Sequence, residues 1–183
     1  MGVLILMRGV PGSGKSHRAK SLSGFDPCKV FSTDEYFERM EGGYLKNWAV
    51  NKLFVAHRWN QDRVRDAIAA GVDPVIVDNT NLKMKLVRIY YDMAVEAGYE
   101  VRIEESEAPW WKEIKNLLTD KKTNDAEIKK WAGKLAHGFS VCDGDLCHLI
   151  KNEHGVPEDT IYNMLISYHP FTVEDLKATS KND

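Results

Sequence analysis

The sequence predicts an α/β fold in which a parallel sheet is flanked by helices. Over residues 3–104, apolar segments of strand length alternate with segments whose apolar residues repeat at helical spacing. Residues 74–78 form a continuous apolar run that ends in a carboxylate, which is typical of a parallel strand buried on both faces. Ligands in such folds bind at the carboxyl ends of the strands.

The first predicted strand, residues 3–8, leads into a glycine-rich turn of sequence GVPGSGKS, and a helix-compatible stretch follows at once. This turn matches the phosphate-binding motif G-x-x-x-x-G-K-[ST] in its expected context between strand and helix. Glycine permits backbone conformations in which successive N–H groups point at one anion beside a helix N-terminus. The residues expected to contact a nucleotide are Gly9, Pro11, Gly12, Ser13, Gly14, Lys15 and Ser16.

Two side chains of this loop have specific expected roles. Lys15 is expected to reach the β- and γ-phosphates of a nucleoside triphosphate, and the Ser16 hydroxyl is expected to ligate Mg²⁺. The sequence therefore predicts ATP and Mg²⁺ as ligands and a three-layer P-loop NTPase fold.

A second strand is predicted at residues 28–32, and a helix begins just after it. Asp34 lies at that junction, close in such a fold to the γ-phosphate side of the loop. Its carboxylate is a candidate to accept the proton of an attacking hydroxyl. The alternative role for Asp34 is to cap the helix that begins there.

A long helix, residues 49–70, precedes the buried strand at 74–78, and a further helix and strand follow at 83–97 and 99–104. Asp78 ends the buried strand, where phosphoryl-transfer enzymes place the acid that holds Mg²⁺ or its waters. Its alternative role is that of a cap or turn former before Asn79.

Residues 109–152 differ from the rest of the chain because they are rich in polar residues and carry no strong strand signal. We interpret them as short helices that form a lid or insertion, at about residues 110–155, within a single domain spanning 1–183. The tryptophans in this stretch either pack the insertion onto the body or stack on bases. A last helix is predicted from residue 156, with a frayed polar tail from Lys177 onward.

Composition narrows the functional classes. The net charge of −2 does not favour a generic nucleic-acid binder, and no apolar run approaches the length of a membrane span. Three cysteines are too few for a disulfide framework, so free thiols and an intracellular location, cytoplasmic or nuclear, are expected.

Five ordered motifs, GVPGSGKS, STDEYF, AHRWNQ, VIVDNTNL and KNEHGVP, resemble the P-loop polynucleotide 5′-hydroxyl kinase family. The resemblance is closest to its kinase-like members called NEDD-four-binding protein two-like, and it covers about residues 3–111 and 149–168. It implies an adenylate-kinase-like sheet and transfer of the ATP γ-phosphate to a hydroxyl, which in the best-studied relatives is the 5′-OH of DNA or RNA. By position, the resemblance makes Asp34 the general base and Asp78 the strand-end acid, with Lys15 and Ser16 as the phosphate-loop pair.

Two positions depart from that family pattern. Phe37 stands where the phage-type kinases have an arginine that recognises substrate phosphate. In the lid segment, residues 149–154, the family's arginines are replaced by Lys151 and His154, so Lys151 is the group expected to close over the transferred phosphoryl group. The segment at 112–148 is also longer than its counterpart in the family.

Two other functions fit the same motifs. A kinase for a small hydroxylated metabolite or nucleoside would use the same residues with a closed acceptor pocket. A nucleotide-binding interaction module without efficient transfer would account for the missing lid arginines. A nucleic acid 5′ end is the partner that the resemblance implies, and the sequence leaves protein partners open.

Overall fold

A computed structural model describes residues 2–143 and 146–179 and contains a four-stranded parallel sheet. Its strands lie in the order β2-β3-β1-β4, and each neighbouring pair is parallel. The predicted α/β fold is therefore confirmed. The strands are β1 Val3–Arg8, β2 Val30–Phe31, β3 Val75–Val77 and β4 Glu100–Glu105.

Helices follow the predicted alternation, and their buried residues recur at helical spacing. In the long fourth helix, Ala56, Asn60, Val64 and Ala67 lie on one buried stripe. The helices are α1 Lys15–Leu22, α2 Glu35–Glu38, α3 Gly43–Asn47, α4 Leu53–Ala69, α5 Met84–Glu96, α6 Pro109–Leu117, α7 Asp125–His137, α8 Glu158–Ile166 and α9 Val173–Thr179. No helix within the described ranges is long and apolar enough to cross a bilayer.

Both faces of the sheet are covered, which gives the predicted three layers. Leu4 and Leu6 of β1 pack in a core that includes residues of α4, α5 and α9. Ile5, which points to the opposite face, packs with Ala19 of α1. A further core, here called the second core, joins α6, α7 and α8 to Val10 of the glycine-rich loop.

The prediction of helices throughout residues 109–152 is correct for α6 and α7 but wrong for the end of this stretch. There, β5 Phe139–Asp143 and β6 Leu146–Ile150 form an antiparallel hairpin. These segments contain aromatic and branched residues, which favour strands, and a Gly-Asp pair stands between them in the sequence. Each strand has only five residues and lies in a polar segment, so the strand pattern is weak.

The expectation of free thiols is also wrong for two of the three cysteines. Cys142 and Cys147 face each other across the hairpin with Cα atoms 4.0 Å apart and form a disulfide. Their proximity depends on the strand register, which the sequence did not reveal. Cys28 is a free, exposed thiol, as expected.

The helix predicted from residue 156 corresponds to α8, but it is not the last helix. Helix α9 follows it, and its Leu176 is fully buried in the core beside the sheet. Thr172 and Asp175 form reciprocal hydrogen bonds at the start of α9, which is a capping-box arrangement. The prediction of a frayed tail from Lys177 is wrong for residues 177–179, which form the last turn of α9, and its remainder from 180 onward lies outside the described residues.

Candidate functional site

The loops that follow the strands meet at the carboxyl edge of the sheet. The Gly9 amide donates to the Thr80 carbonyl at 3.1 Å, joining the loops after β1 and β3. The Thr33 amide donates to Asn79 Oδ1 at 2.9 Å, joining the loops after β2 and β3. The loop after β3 therefore holds the glycine-rich loop and the Asp34 region in one assembly.

Two positions of the glycine-rich loop require glycine, because the backbone is left-handed there and no room is left for a Cβ atom. Gly12 and Gly14 have φ angles of 75° and 89°, in the left-handed region that side chains rarely adopt. A Cβ on Gly14 would lie 2.6 Å from Ser106 Oγ, and one on Gly12 would lie 2.9 Å from Leu135 Cδ2. The loop backbone is thus fixed closely against the loop after β4 and against α7.

The polar side chains of this loop have no partners among the residues that the structure describes. Ser13 is fully buried, and its hydroxyl makes no hydrogen bond to any residue that the structure describes. Lys15, at the first turn of α1, and the exposed Ser16 likewise form no side-chain hydrogen bond or ion pair within the described ranges. Unsatisfied donors beside a helix N-terminus are the groups that phosphate oxygens bind.

Asp78 lies directly after β3, next to the glycine-rich loop. Its amide donates to the Phe31 carbonyl at 2.9 Å, and the residue is only 7% exposed. Its buried Oδ1 has no hydrogen-bond partner among the described residues. A buried carboxylate oxygen without a donor is costly unless a ligand satisfies it, and carboxylate oxygen is a preferred ligand of Mg²⁺. Asp78 therefore fits the metal that its position predicts.

The insertion supports the glycine-rich loop directly. Trp110 Nε1 donates to the Gly12 carbonyl at 3.0 Å, and Val10 is buried in the second core. Trp111 and Trp131 are 0% and 6% exposed in that core. Their rings pack inside the protein, so these two tryptophans have no free face on which a base could stack.

Asp34 occupies the N-cap position of α2, but its side chain makes no capping hydrogen bond. Instead, Asp34 Oδ2 lies 3.5 Å from His154 Nε2, and the same nitrogen lies 3.9 Å from Glu38 Oε1. The His154 ring stacks on Tyr44 with centroids 4.2 Å apart. We call these four residues, Asp34, Glu38, Tyr44 and His154, the acceptor-side cluster.

Burial and like charge dominate the electrostatics of the acceptor-side cluster. Burial, reinforced by Asp34 and Glu38, raises the pKa of Tyr44, so its phenol stays protonated. Burial also raises the pKa of Glu38, although His154 opposes that shift. The Asp34 side chain is 39% exposed, so an incoming hydroxyl can reach it from solvent.

Two residues of the lid segment, Lys151 and His154, have different surroundings. Lys151 lies just after β6, is exposed, and forms no hydrogen bond or ion pair with the described part of the chain. His154, three residues later, is the group that contacts Asp34. The sequence identified His154 in the lid but did not indicate this contact, and it gave no signal for Tyr44 or Glu38.

A cavity of about 560 Å³ lies beside Arg8 and Tyr168, and its lining includes no residue of the glycine-rich loop. Arg8 is 1% exposed, donates to the His169 carbonyl at 2.7 Å and pairs with Glu105 at 3.5 Å. Lys115 pairs with the same carboxylate at 2.7 Å. These charges are satisfied internally, so we assign them to packing the C-terminal segment onto the sheet.

His57 gives the stability of the fold a predictable pH dependence. Its Nδ1 lies 3.2 Å from Thr33 Oγ1, and burial lowers its pKa, with Asp34 partly opposing the shift. The unfolded chain, with a histidine pKa of about 6.5, therefore binds this proton first as the pH falls. The stabilisation due to neutral His57 is present above about pH 6.5 and is lost as the pH falls below it.

We expect the free energy of unfolding of the wild type, relative to His57→Gln, to decrease between pH 7.5 and pH 5. Denaturant unfolding at both pH values measures this difference. The exposed His17, replaced by Gln, is the matched control and should give the same difference at both pH values. A His57→Gln difference that does not change with pH would contradict the prediction.

Comparisons with known proteins agree with this architecture. Residues 4–132 match a family model described as AAA domain. The chain is 36% identical over 136 residues to NEDD4-binding protein 2 of Homo sapiens, an alignment that covers 74% of this chain and 8% of that protein. The chain thus spans less than a tenth of that relative.

A solved structure from a study of the PezAT chromosomal toxin-antitoxin system of Streptococcus pneumoniae also aligns with this chain. The alignment covers 99% of this chain and 84% of the other, with a TM-score of 0.44 and 14% identity.

Proposed function

The chain belongs to the AAA domain family of P-loop proteins, and from this premise we propose that it is an ATP- and Mg²⁺-dependent phosphotransferase. It would transfer the γ-phosphate to a hydroxyl, the 5′-OH of DNA or RNA. The observation that carries the proposal is the position of two carboxylates, Asp34 and Asp78, at the ends of the adjacent strands β2 and β3. The buried Asp78 Oδ1 has no hydrogen-bond partner in the described part of the chain, and the Asp34 side chain makes no hydrogen bond that caps α2.

The proposed roles follow from the position of each group. Loop amides and Lys15 would hold the β- and γ-phosphates, and Ser16 and Asp78 would hold Mg²⁺ or its waters. The metal supplies positive charge that neutralises the phosphate oxygens. Lys151 would approach the transferred group when the lid segment closes over it.

The proposed reaction step is an in-line displacement at the γ-phosphorus. Asp34 would accept the proton of the acceptor hydroxyl as its oxygen bonds to phosphorus. The bond between phosphorus and the oxygen that bridges to the β-phosphate breaks, and ADP leaves with that electron pair. The products are a 5′-phosphorylated acceptor, ADP and a proton.

A polymeric acceptor is supported by the ordered motifs that resemble the polynucleotide kinases and by the partial exposure of Asp34. The deciding experiment offers γ-labelled ATP and Mg²⁺ together with 5′-hydroxyl DNA, 5′-hydroxyl RNA, nucleosides and sugars. Label on the oligonucleotide 5′ end is the expected result. Label on a small molecule alone would identify a metabolite kinase, and no transfer to any acceptor would favour a binding module.

Replacing Asp78 tests the metal assignment. We expect Asp78→Asn to raise the Mg²⁺ concentration for half-maximal ATP turnover about tenfold to a hundredfold, because an amide is a weaker ligand than a carboxylate. The measurement is a Mg²⁺ titration at saturating ATP, with calorimetric titration of Mg²⁺ and ADP as a second readout. Asp66→Asn, on the exposed side of α4, is the control. An unchanged Mg²⁺ dependence in Asp78→Asn would remove Asp78 from the metal site.

A further inference from the structure

An exposed aromatic residue marks the surface of α4 near the acceptor-side cluster. The Phe54 side chain is in solvent, with the residue 75% exposed, and Val50, Val55 and Leu45 nearby in the chain are also more than half exposed. Trp48 is exposed to 42%.

Phe54 lies at a groove of about 370 Å³ on the outer side of α4, with Ile89 of α5 also in its lining. The remaining lining residues come from one stripe of α4 at helical spacing. They are His57, Arg58, Gln61, Asp62 and Arg65. We call this the α4 groove.

The α4 groove adjoins the candidate acceptor site through His57. His57 lines the groove, and its Nδ1 also contacts Thr33 Oγ1 at 3.2 Å, one residue before Asp34. The charge of Asp34 acts on His57 as well. A chain whose end lies at Asp34 could therefore extend past His57 towards Phe54 and Arg58.

The charges in the groove suit an anionic occupant. Arg58 is exposed and forms no hydrogen bond or ion pair within the described ranges, whereas Arg65 is paired with Asp62 at 2.5 Å. Phe37, which stands where related kinases have a phosphate-binding arginine, is 0% exposed and packs between Tyr36 and Tyr44. An acceptor phosphate therefore cannot contact the side chain at position 37.

We propose that the α4 groove binds the nucleotides that follow the 5′-hydroxyl end of a single-stranded acceptor. A base would stack on Phe54, and a backbone phosphate would pair with Arg58. An exposed aromatic ring beside an unpaired cation is the combination that recognises single strands without regard to sequence. This inference rests on the proposed function, since it places the acceptor's reactive end at Asp34.

A protein partner is a weaker fit to the same groove. The centres of protein interfaces are depleted of aspartate, whereas the ion pair of Asp62 with Arg65 lines this groove. A flexible phosphodiester chain suits a groove with polar side chains, because a phosphate can pair with Arg58 and a base can stack on the Phe54 ring.

The test is direct binding without ATP, measured by fluorescence anisotropy with a ten-nucleotide oligothymidylate that carries a 5′-hydroxyl and a 3′ dye. We expect Phe54→Ala to weaken binding about tenfold. Arg58→Gln should weaken binding several-fold at low salt and reduce the slope of log affinity against log salt by about 0.7. The controls are Phe25→Ala, equally exposed at 75%, and Arg102→Gln on the opposite edge strand β4.

Both control variants should bind the oligonucleotide as the wild type does. Equal affinity in the wild type and the two groove variants would overturn the inference, even if labelled phosphate is transferred to the 5′ end. Oligonucleotide binding that the two groove variants weaken, without any phosphate transfer, would instead contradict the proposed function and support the binding site. Concentration-dependent dimerisation that Phe54→Ala abolishes, without oligonucleotide binding, would assign the groove to a second copy and overturn the inference as well.

Discussion

Asp34→Asn is expected to lower kcat for phosphoryl transfer by about 10²- to 10⁴-fold while leaving ATP affinity within about twofold. The amide keeps the size of the carboxylate but cannot accept the acceptor's proton. The Asp34 side chain makes no capping hydrogen bond, so the substitution costs α2 little. Initial rates with saturating acceptor, together with ATP binding by calorimetry, separate the chemical step from nucleotide binding.

The matched control for Asp34→Asn is Glu41→Gln, an exposed carboxylate at the end of the same segment. It should transfer phosphate at the wild-type rate. Equal rates for Asp34→Asn and the wild type would show that Asp34 is not the base. Glu38, 3.9 Å from His154 and with a pKa raised by burial, would then be the carboxylate to replace next.

The parts of the site that local sequence determines were predictable. The glycine-rich loop has all its fixed motif positions within eight residues, and Asp78 follows an apolar run that is typical of a buried strand. Both elements depend on backbone conformation and burial, which short patterns encode. The parallel sheet followed because each strand is separated from the next by a helix.

The acceptor-side cluster was not predictable, because it depends on contacts between distant parts of the chain. His154 lies 120 residues after Asp34, a separation given by their sequence numbers, and only the packing of the lid segment brings the two together. Cys142 and Cys147 illustrate the same limit at short range, since their pairing depends on a hairpin register. Phe37 differs from these residues, because the sequence identified the position and the structure supplies the reason. It departs from the family pattern, and its complete burial shows that this position of α2 faces the interior.

Trp111→Ala is expected to reduce the free energy of unfolding by about 3–5 kcal/mol. Trp111 is 0% exposed in the second core and packs edge-to-face on Tyr168 with centroids 5.6 Å apart. Truncation loses the transfer free energy of the indole and leaves a cavity between α6, α7 and α8, whose buried residues form this core. Denaturant unfolding monitored by circular dichroism measures the loss.

Trp111→Phe keeps an aromatic ring in the second core and removes the indole N–H. The buried Trp111 Nε1 has no acceptor among the described residues, so removing it should cost less than about 1.5 kcal/mol. Val10 belongs to the same core, so Trp111→Ala should also weaken ATP binding by loosening the glycine-rich loop. A stable Trp111→Ala variant with normal ATP affinity would show that the insertion does not support that loop. A correlated loss of stability and affinity, absent in Trp111→Phe, would establish that the insertion holds the loop in place for the nucleotide.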